Sequence, residues 1–216
     1  MDVQKIMKIL TDTAYVRTGG SPEERKTAEY LAAQVEKLGF KAELQSFEVP
    51  MAEIEQAELV VDGAVIPCKG YFCAGNAELE APLYYLRNKE PYSLSLCKGK
   101  IVLVDGYMGY WLYQDIVENG AVGFITYDGH VNYADNDIDQ RELRSFVHKG
   151  NPIPGVNINV KSAVALIRDG AKTARIVLKQ REYSGDSHNV VLDLPGEIDE
   201  YIVLTAHYDS SSLSKG

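Results

Sequence analysis

The chain has few cysteines, and their number is odd: Cys68, Cys73 and Cys97. They form no CxxC pair, and an odd set makes no disulfide framework, so they read as isolated, buried structural thiols. Basic residues are in deficit as well. The 22 Lys and Arg against 31 Asp and Glu give a formal charge of −9. Phosphate binding needs a Lys/Arg surplus on at least one face, and no such stripe is present, which excludes nucleic acid as the main partner. No apolar run approaches the roughly 18–20 residues of a bilayer span, so a membrane helix is excluded too. At the N-terminus Asp2, Lys5 and Lys8 interrupt Val3, Ile6, Met7, Ile9 and Leu10. That pattern is an amphipathic helix and not the core of a signal peptide, so a cytoplasmic protein is expected unless a leader was removed.

Local catalytic signatures are equally sparse. There is no HExxH, no GxSxG elbow, no Walker A loop and no GxGxxG. Repeats and low-complexity tracts are absent. What remains is ordinary globular material: 216 residues, 45% apolar and 25% charged, enough for one large domain or two small ones.

The clearest element begins at Ser21. An N-cap serine, Pro22 at the first helical position and glutamate at the third predict a helix whose orphan N–H groups are satisfied. Ala28, Leu31, Val35 and Leu38 supply its apolar face, and Gly39 its stop. Residues 40–49 alternate as a half-buried strand. From Pro50 to about Leu178, short apolar runs divided by Gly, Pro and Asn predict a β-rich domain with small helices. Within it, Ile101–Val104, a helix over 110–118 closed by Asn119-Gly120, and Ala121–Tyr127 form a βαβ unit. A strand Val156–Val160, a helix Ser162–Arg168 and a strand Ala174–Leu178 follow. Residues 128–150 form a long polar stretch with Asp135, Asp137, Asp139, Arg141, Arg144 and Lys149, either a solvated loop or a functional one. Val190–Leu194 and Tyr201–Ala206 are expected as further strands, the latter buried on both faces because Ile202-Val203-Leu204 is continuously apolar.

Among four histidines, His130 and His148 fall in the long polar region, His188 opens a strand beside Asn189, and His207 ends the strand Tyr201–Ala206. His207 sits where ligands gather, outside a strand's carboxyl end. Asp209 lies two positions on, so in an extended chain both side chains project to the same side. An imidazole that binds metal usually donates its other N–H to a carboxylate, and His-x-Asp supplies that pair; the alternative is an ordinary hydrogen-bonded strand-end histidine. Tyr110, Trp111 and Tyr113 form an aromatic cluster, fit either to line a cleft or to pack a small helix on its sheet.

The run His188-Asn189-Val190-Val191-Leu192-Asp193-Leu194-Pro195-Gly196, a short acidic turn, and Tyr201-Ile202-Val203-Leu204-Thr205-Ala206-His207-Tyr208-Asp209-Ser210 together resemble the opening of the catalytic domain of metallopeptidase family twenty-eight. These are co-catalytic zinc aminopeptidases and their carboxypeptidase relatives. Thr18-Gly19-Gly20-Ser21-Pro22-Glu23 through Gly39-Phe40 is similar to the family's N-terminal helix and following strand. Residues 50–178 resemble the protease-associated domain that many members insert there, most clearly at Gly99-Lys100-Ile101-Val102-Leu103-Val104-Asp105 and Asn119-Gly120-Ala121-Val122-Gly123-Phe124-Ile125. The family's Asp-Arg-Gly-x-Cys loop departs here to Asp105-Gly106-Tyr107-Met108-Gly109.

The resemblance implies an α+β chain in which a β-rich protease-associated domain (50–178), with small flanking helices, is inserted into the first helices and strands of an α/β zinc-exopeptidase domain (1–49 and 179–216). It implies His207 as a zinc ligand and Asp209 as the catalytic-site carboxylate that orients it. Two zinc ions are expected in a full-length enzyme acting on peptides. The remaining ligands would lie beyond Gly216, so this stretch alone is expected to bind no zinc and to be inactive, and to self-associate through its incomplete sheet. A non-catalytic, receptor-like binding module is the competing expectation, and an unrelated α+β domain the third.

Overall fold

A computed structural model describes residues 2–129, 138–198 and 200–210. The expectations attached to His130, Asp135 and Asp137 lie outside these. Contacts divide the chain into two compact units, Met1–Val49 with the segment from Ser184 onward, and Pro50–Tyr183.

The first unit opens with α1 (Val3–Asp12), capped by Asp2, whose carboxylate accepts the Gln4 and Lys5 N–H groups. Its apolar side chains are left outside, with Val3, Met7 and Leu10 all exposed. The helix α2 (Pro22–Lys37) follows, with Ser21 accepting the Glu24 N–H and Pro22 in the first turn. A Tyr30 hydroxyl donating to Asp12 at 2.6 Å ties the two helices. Ala28 is buried as expected, but Leu38 is exposed. Next comes β1 (Glu43–Val61). Its early residues Leu44 and Phe47 are also exposed. The strand runs unbroken through Pro50, so it contributes to both units.

In the second unit β1 turns sharply into β2 (Ala64–Ile66), with Val61 opposite Ala64. Asp62 and Gly63 take φ values of 47° and 84°, the paired left-handed residues that a two-residue hairpin requires. Asp62 also accepts the Lys172 and Thr173 N–H groups at 3.0 and 2.9 Å. The chain continues through β3 (Cys68–Gly70), β4 (Ala77–Tyr85), α3 (Pro91–Ser95), β5 (Ile101–Leu103), α4 (Tyr110–Glu118), β6 (Gly123–Asp128), α5 (Ser145–His148), β7 (Gly155–Asn159), α6 (Val160–Arg168) and β8 (Thr173–Val191). The strand order is β2-β1-β8-β4-β5-β6-β7-β3. The run β4-β5-β6-β7 is parallel, and antiparallel strands flank it, β8 on β4 and β3 on β7.

The expected βαβ unit is therefore present as β5, α4 and β6, with Asn119 as the C-cap and Gly120 at φ 78°. Ile101, Leu103, Phe124, Ile125, Ile158, Ile176 and Leu178 are fully buried at the centre. Tyr71 and Tyr113 meet the Phe124 ring edge-on, at 4.9 and 6.2 Å between centroids. The protein is thus a mixed α+β chain.

Two expectations fail at the second half. The separate strands Ala174–Leu178 and Val190–Leu194 are one strand through Val191. Its middle residues carry no apolar periodicity because they face outward, Gln180, Ser187 and His188 excepted. Tyr201–Ala206 is not a strand, and Ile202 and Leu204 are 91% and 93% exposed. An apolar run becomes a buried strand only where neighbours pair with it and cover it, and no described residue does so here. No described helix is long and apolar enough to cross a membrane.

Candidate functional site

His207 and Asp209 lie on a segment of the first unit that has no regular secondary structure. Their spacing brings them together: His207 Nδ1 is 3.4 Å from Asp209 Oδ1 and 3.3 Å from the Asp209 carbonyl oxygen. The imidazole is largely solvent-facing, with 88% of its side chain exposed. Because Nδ1 faces the carboxylate, Nε2 is the nitrogen left for a ligand, the arrangement of a carboxylate-oriented metal histidine. The donor set fits one zinc ligand and its orienting group. It does not complete a site, since no group of three His, Cys, Asp or Glu among the described residues is disposed to hold a metal, and catalytic zinc takes three protein ligands.

Between the two, Tyr208 is only partly exposed and meets buried partners. Its hydroxyl lies within hydrogen-bond reach of Glu24 Oε1 and 2.7 Å from the His188 carbonyl oxygen. Glu24 is 1% exposed. Its Oε1 also accepts the His188 N–H at 3.2 Å, while Oε2 is 3.2 Å from His188 Nδ1. Burial comes first among the causes that raise the Tyr208 phenol above its ordinary value, and the Glu24 carboxylate adds to it. These residues, with Gly19 and Phe47, border a cleft of about 270 Å³ that His207 and Asp209 also line.

Glu24 departs from its expected role. At the third helical position it would reach back to the Ser21 N–H, but that N–H donates to the Thr18 carbonyl at 3.0 Å. The carboxylate turns inward instead, where His188 and Tyr208 offer it donors. Glu24, Tyr208 and Arg17 carry no local sequence signal of a site role; the available cue is His188, which follows a polar stretch and opens an apolar one.

The second unit holds a larger cleft of about 520 Å³, bordered by Tyr84, Tyr85, Tyr92, Leu96 and Leu166. No histidine or carboxylate lines it. The aromatic cluster is divided between roles. Tyr113 is core, its hydroxyl donating to the Asn151 carbonyl and accepting the Ile153 N–H, both at 2.9 Å. Trp111 stays 74% exposed, edge-on to Tyr110. In the long polar region, Asp139 is buried and its N–H donates to Asp128, whose carboxylate also binds Arg141 and Asn157. The described part of that region is therefore anchored at its close.

No protein-family model matches the chain, and no curated sequence matches it significantly. Solved structures do match. An aminopeptidase from Aneurinibacillus sp. strain AM-1 is similar over 92% of this chain and 49% of its own, at TM-score 0.64 and 20% identity. A zinc aminopeptidase from Bacillus subtilis matches over 89% and 47%, at 0.62 and 24%. A peptidase M28 precursor from Shewanella amazonensis matches over 95% and 53%, at 0.65 and 19%. The chain thus spans about half the length of the solved structures it matches, and what it shares with that half is the fold.

Proposed function

We propose that the chain is part of a zinc-dependent exopeptidase of the aminopeptidase type, with peptides as substrates. The observation that carries this is the His207–Asp209 pair at 3.4 Å, set in a fold shared with zinc aminopeptidases. His207 Nε2 would hold one zinc ion, which would supply activation of a water and polarisation of the scissile carbonyl. The part played by this chain's own residues is narrower. Asp209 holds the proton on Nδ1 of His207, which fixes the tautomer and keeps Nε2 as the ligating nitrogen. Residues 50–178 are read as a protease-associated domain that shapes substrate access. The 216 residues alone are catalytically silent, because one imidazole and its carboxylate do not make a zinc site. Their exposed apolar side chains, Ile202 and Leu204 foremost, favour self-association, read by sizing and light scattering.

The deciding experiment uses the intact protein. His207→Ala is expected to lose tightly held zinc and the hydrolysis of aminoacyl anilides together. Retention of both, or a wild-type protein that takes up no zinc and cleaves no peptide, sinks the proposal in favour of a binding module.

A further inference from the structure

We propose that Tyr208 is a positioning residue for His207, holding the His207–Asp209 pair outward by locking its own side chain inward on Glu24. This rests on His207 being the metal ligand. The His207 and Asp209 side chains are 88% and 52% exposed, whereas Tyr208 between them is only partly exposed and its hydroxyl reaches the buried Glu24 carboxylate. The strength of that inward hold sets how firmly the outward pair is presented.

That hold is built from several fixed groups. Glu24 sits in the first turn of a capped helix and is itself tied by both the main chain and the ring of His188. The Tyr208 hydroxyl points at this carboxylate and at the His188 carbonyl oxygen. Arg17 grips the same residue from its main chain: its guanidinium donates to the Tyr208 carbonyl, and to those of Thr13 and Tyr15 at 2.6 and 2.9 Å. Two residues further, the Ser210 N–H donates to the Arg17 carbonyl at 3.0 Å, and the Arg17 N–H to Ser210 Oγ at 2.9 Å. The contrast with the preceding residues is sharp. Tyr201, Ile202, Val203 and Leu204 are exposed, so the anchored stretch is the one that carries the His-x-Asp pair. Groups that orient metal-bound histidines act through such geometry, and losing one costs about 10–100-fold in metal affinity.

The test uses the intact protein in its metal-free form, with Zn²⁺ affinity measured by competition against a chromophoric chelator and amide exchange followed across 207–210. Tyr208→Phe keeps the ring and removes the hydroxyl. It is expected to weaken zinc binding about tenfold and to speed exchange at 207–210. Tyr30→Phe is the control for a merely structural loss, since it removes the 2.6 Å hydroxyl bond to Asp12 in the same unit; it is expected to leave zinc affinity unchanged. Wild-type affinity and exchange in Tyr208→Phe, or an equal loss in Tyr30→Phe, overturns the inference. If His207→Ala binds zinc like wild type, the ligand assignment has failed and the positioning role falls with it, whereas the exchange rates of Tyr208→Phe still report whether this side chain holds the segment.

Discussion

Glu24 and His188 are 164 positions apart in sequence, yet the carboxylate of one meets the ring and the main-chain N–H of the other, both at 3.2 Å. Both side chains are buried, so neither group has water to fall back on. Removing one partner leaves the other's polar atoms unpaired, which is the costly direction. Glu24→Ala is expected to destabilise the first unit by about 3 kcal/mol. Glu24→Gln keeps an acceptor for the His188 N–H and is expected to cost less than half as much. Amide exchange of α2 under mild denaturant reads the difference; equal protection in both variants contradicts it.

Gly155 stands opposite Phe124 in the β6–β7 register, and a Cβ there would overlap three atoms of the Phe124 ring. That ring is the one Tyr71 and Tyr113 both pack against, so it has no direction in which to retreat. Gly155→Ala is expected to cost about 3 kcal/mol, the upper end for overpacking a filled core. Adding Phe124→Leu should return part of the loss. Thermal unfolding by circular dichroism checks both, and a neutral single substitution would show that the strand pair yields.

Gln180 pins the turn after β3. Its side chain accepts the Cys73 N–H and donates to the Gly75 carbonyl, both at 2.8 Å, while Asn76 exchanges hydrogen bonds with its main chain. Cys73 sits at φ 58°, a conformation that a β-carbon disfavours and the surroundings must impose. Gln180→Ala strands the buried Cys73 N–H, at about 1–3 kcal/mol, and the half-buried Gly75 carbonyl at less. Gln180→Glu loses the donor and buries a carboxylate, so its penalty should be larger at pH 7 than at pH 4, where the acid is protonated. Urea unfolding at the two pH values decides it, and a pH-independent penalty counts against the account.

The legible parts of this molecule are those whose cause is local. Ser21 and Pro22 announce α2 because a cap acts over three residues, and Asn119-Gly120 closes α4 for the same reason. The parallel unit of β5, α4 and β6 follows from burial on both faces, which leaves a continuous apolar signal at Ile101–Leu103 and Phe124–Ile125. Asp62-Gly63 carried an equally local hairpin signal that the apolar pattern around it obscured. The length of β8 was hidden because its middle faces outward, and periodicity reports burial, not extension. Tyr201–Ala206 misleads in the opposite sense, being apolar without neighbours to bury it. The pairing of His207 with Asp209 follows from a two-residue spacing, whereas Glu24, His188 and Tyr208 meet only through tertiary packing, which no window of sequence contains.

The cysteines are all free, and burial raises each thiol, Cys68 to about 11, Cys73 to about 12, and Cys97 in the same direction. Burial likewise pushes the Tyr71 phenol to about 12. Since the thiolate is the reactive form, the native protein at pH 8 should react slowly with a disulfide reagent, and rapidly once unfolded in guanidinium. The same groups fix the sign of the alkaline response. Each is held protonated in the folded chain above the pH at which the unfolded chain releases its proton, near 9 for the thiols and 10 for the phenol. The unfolded state therefore binds fewer protons in that window, and stability falls as pH rises. The contribution is complete below about pH 9 and declines through pH 12, with Tyr71 alone giving a slope that peaks at about 1 kcal/mol per pH unit near pH 11. Denaturant midpoints measured at half-unit steps should trace that decline; a midpoint that stays level to pH 11, or thiols that react at once in the native state, would place these side chains in water and not in the core.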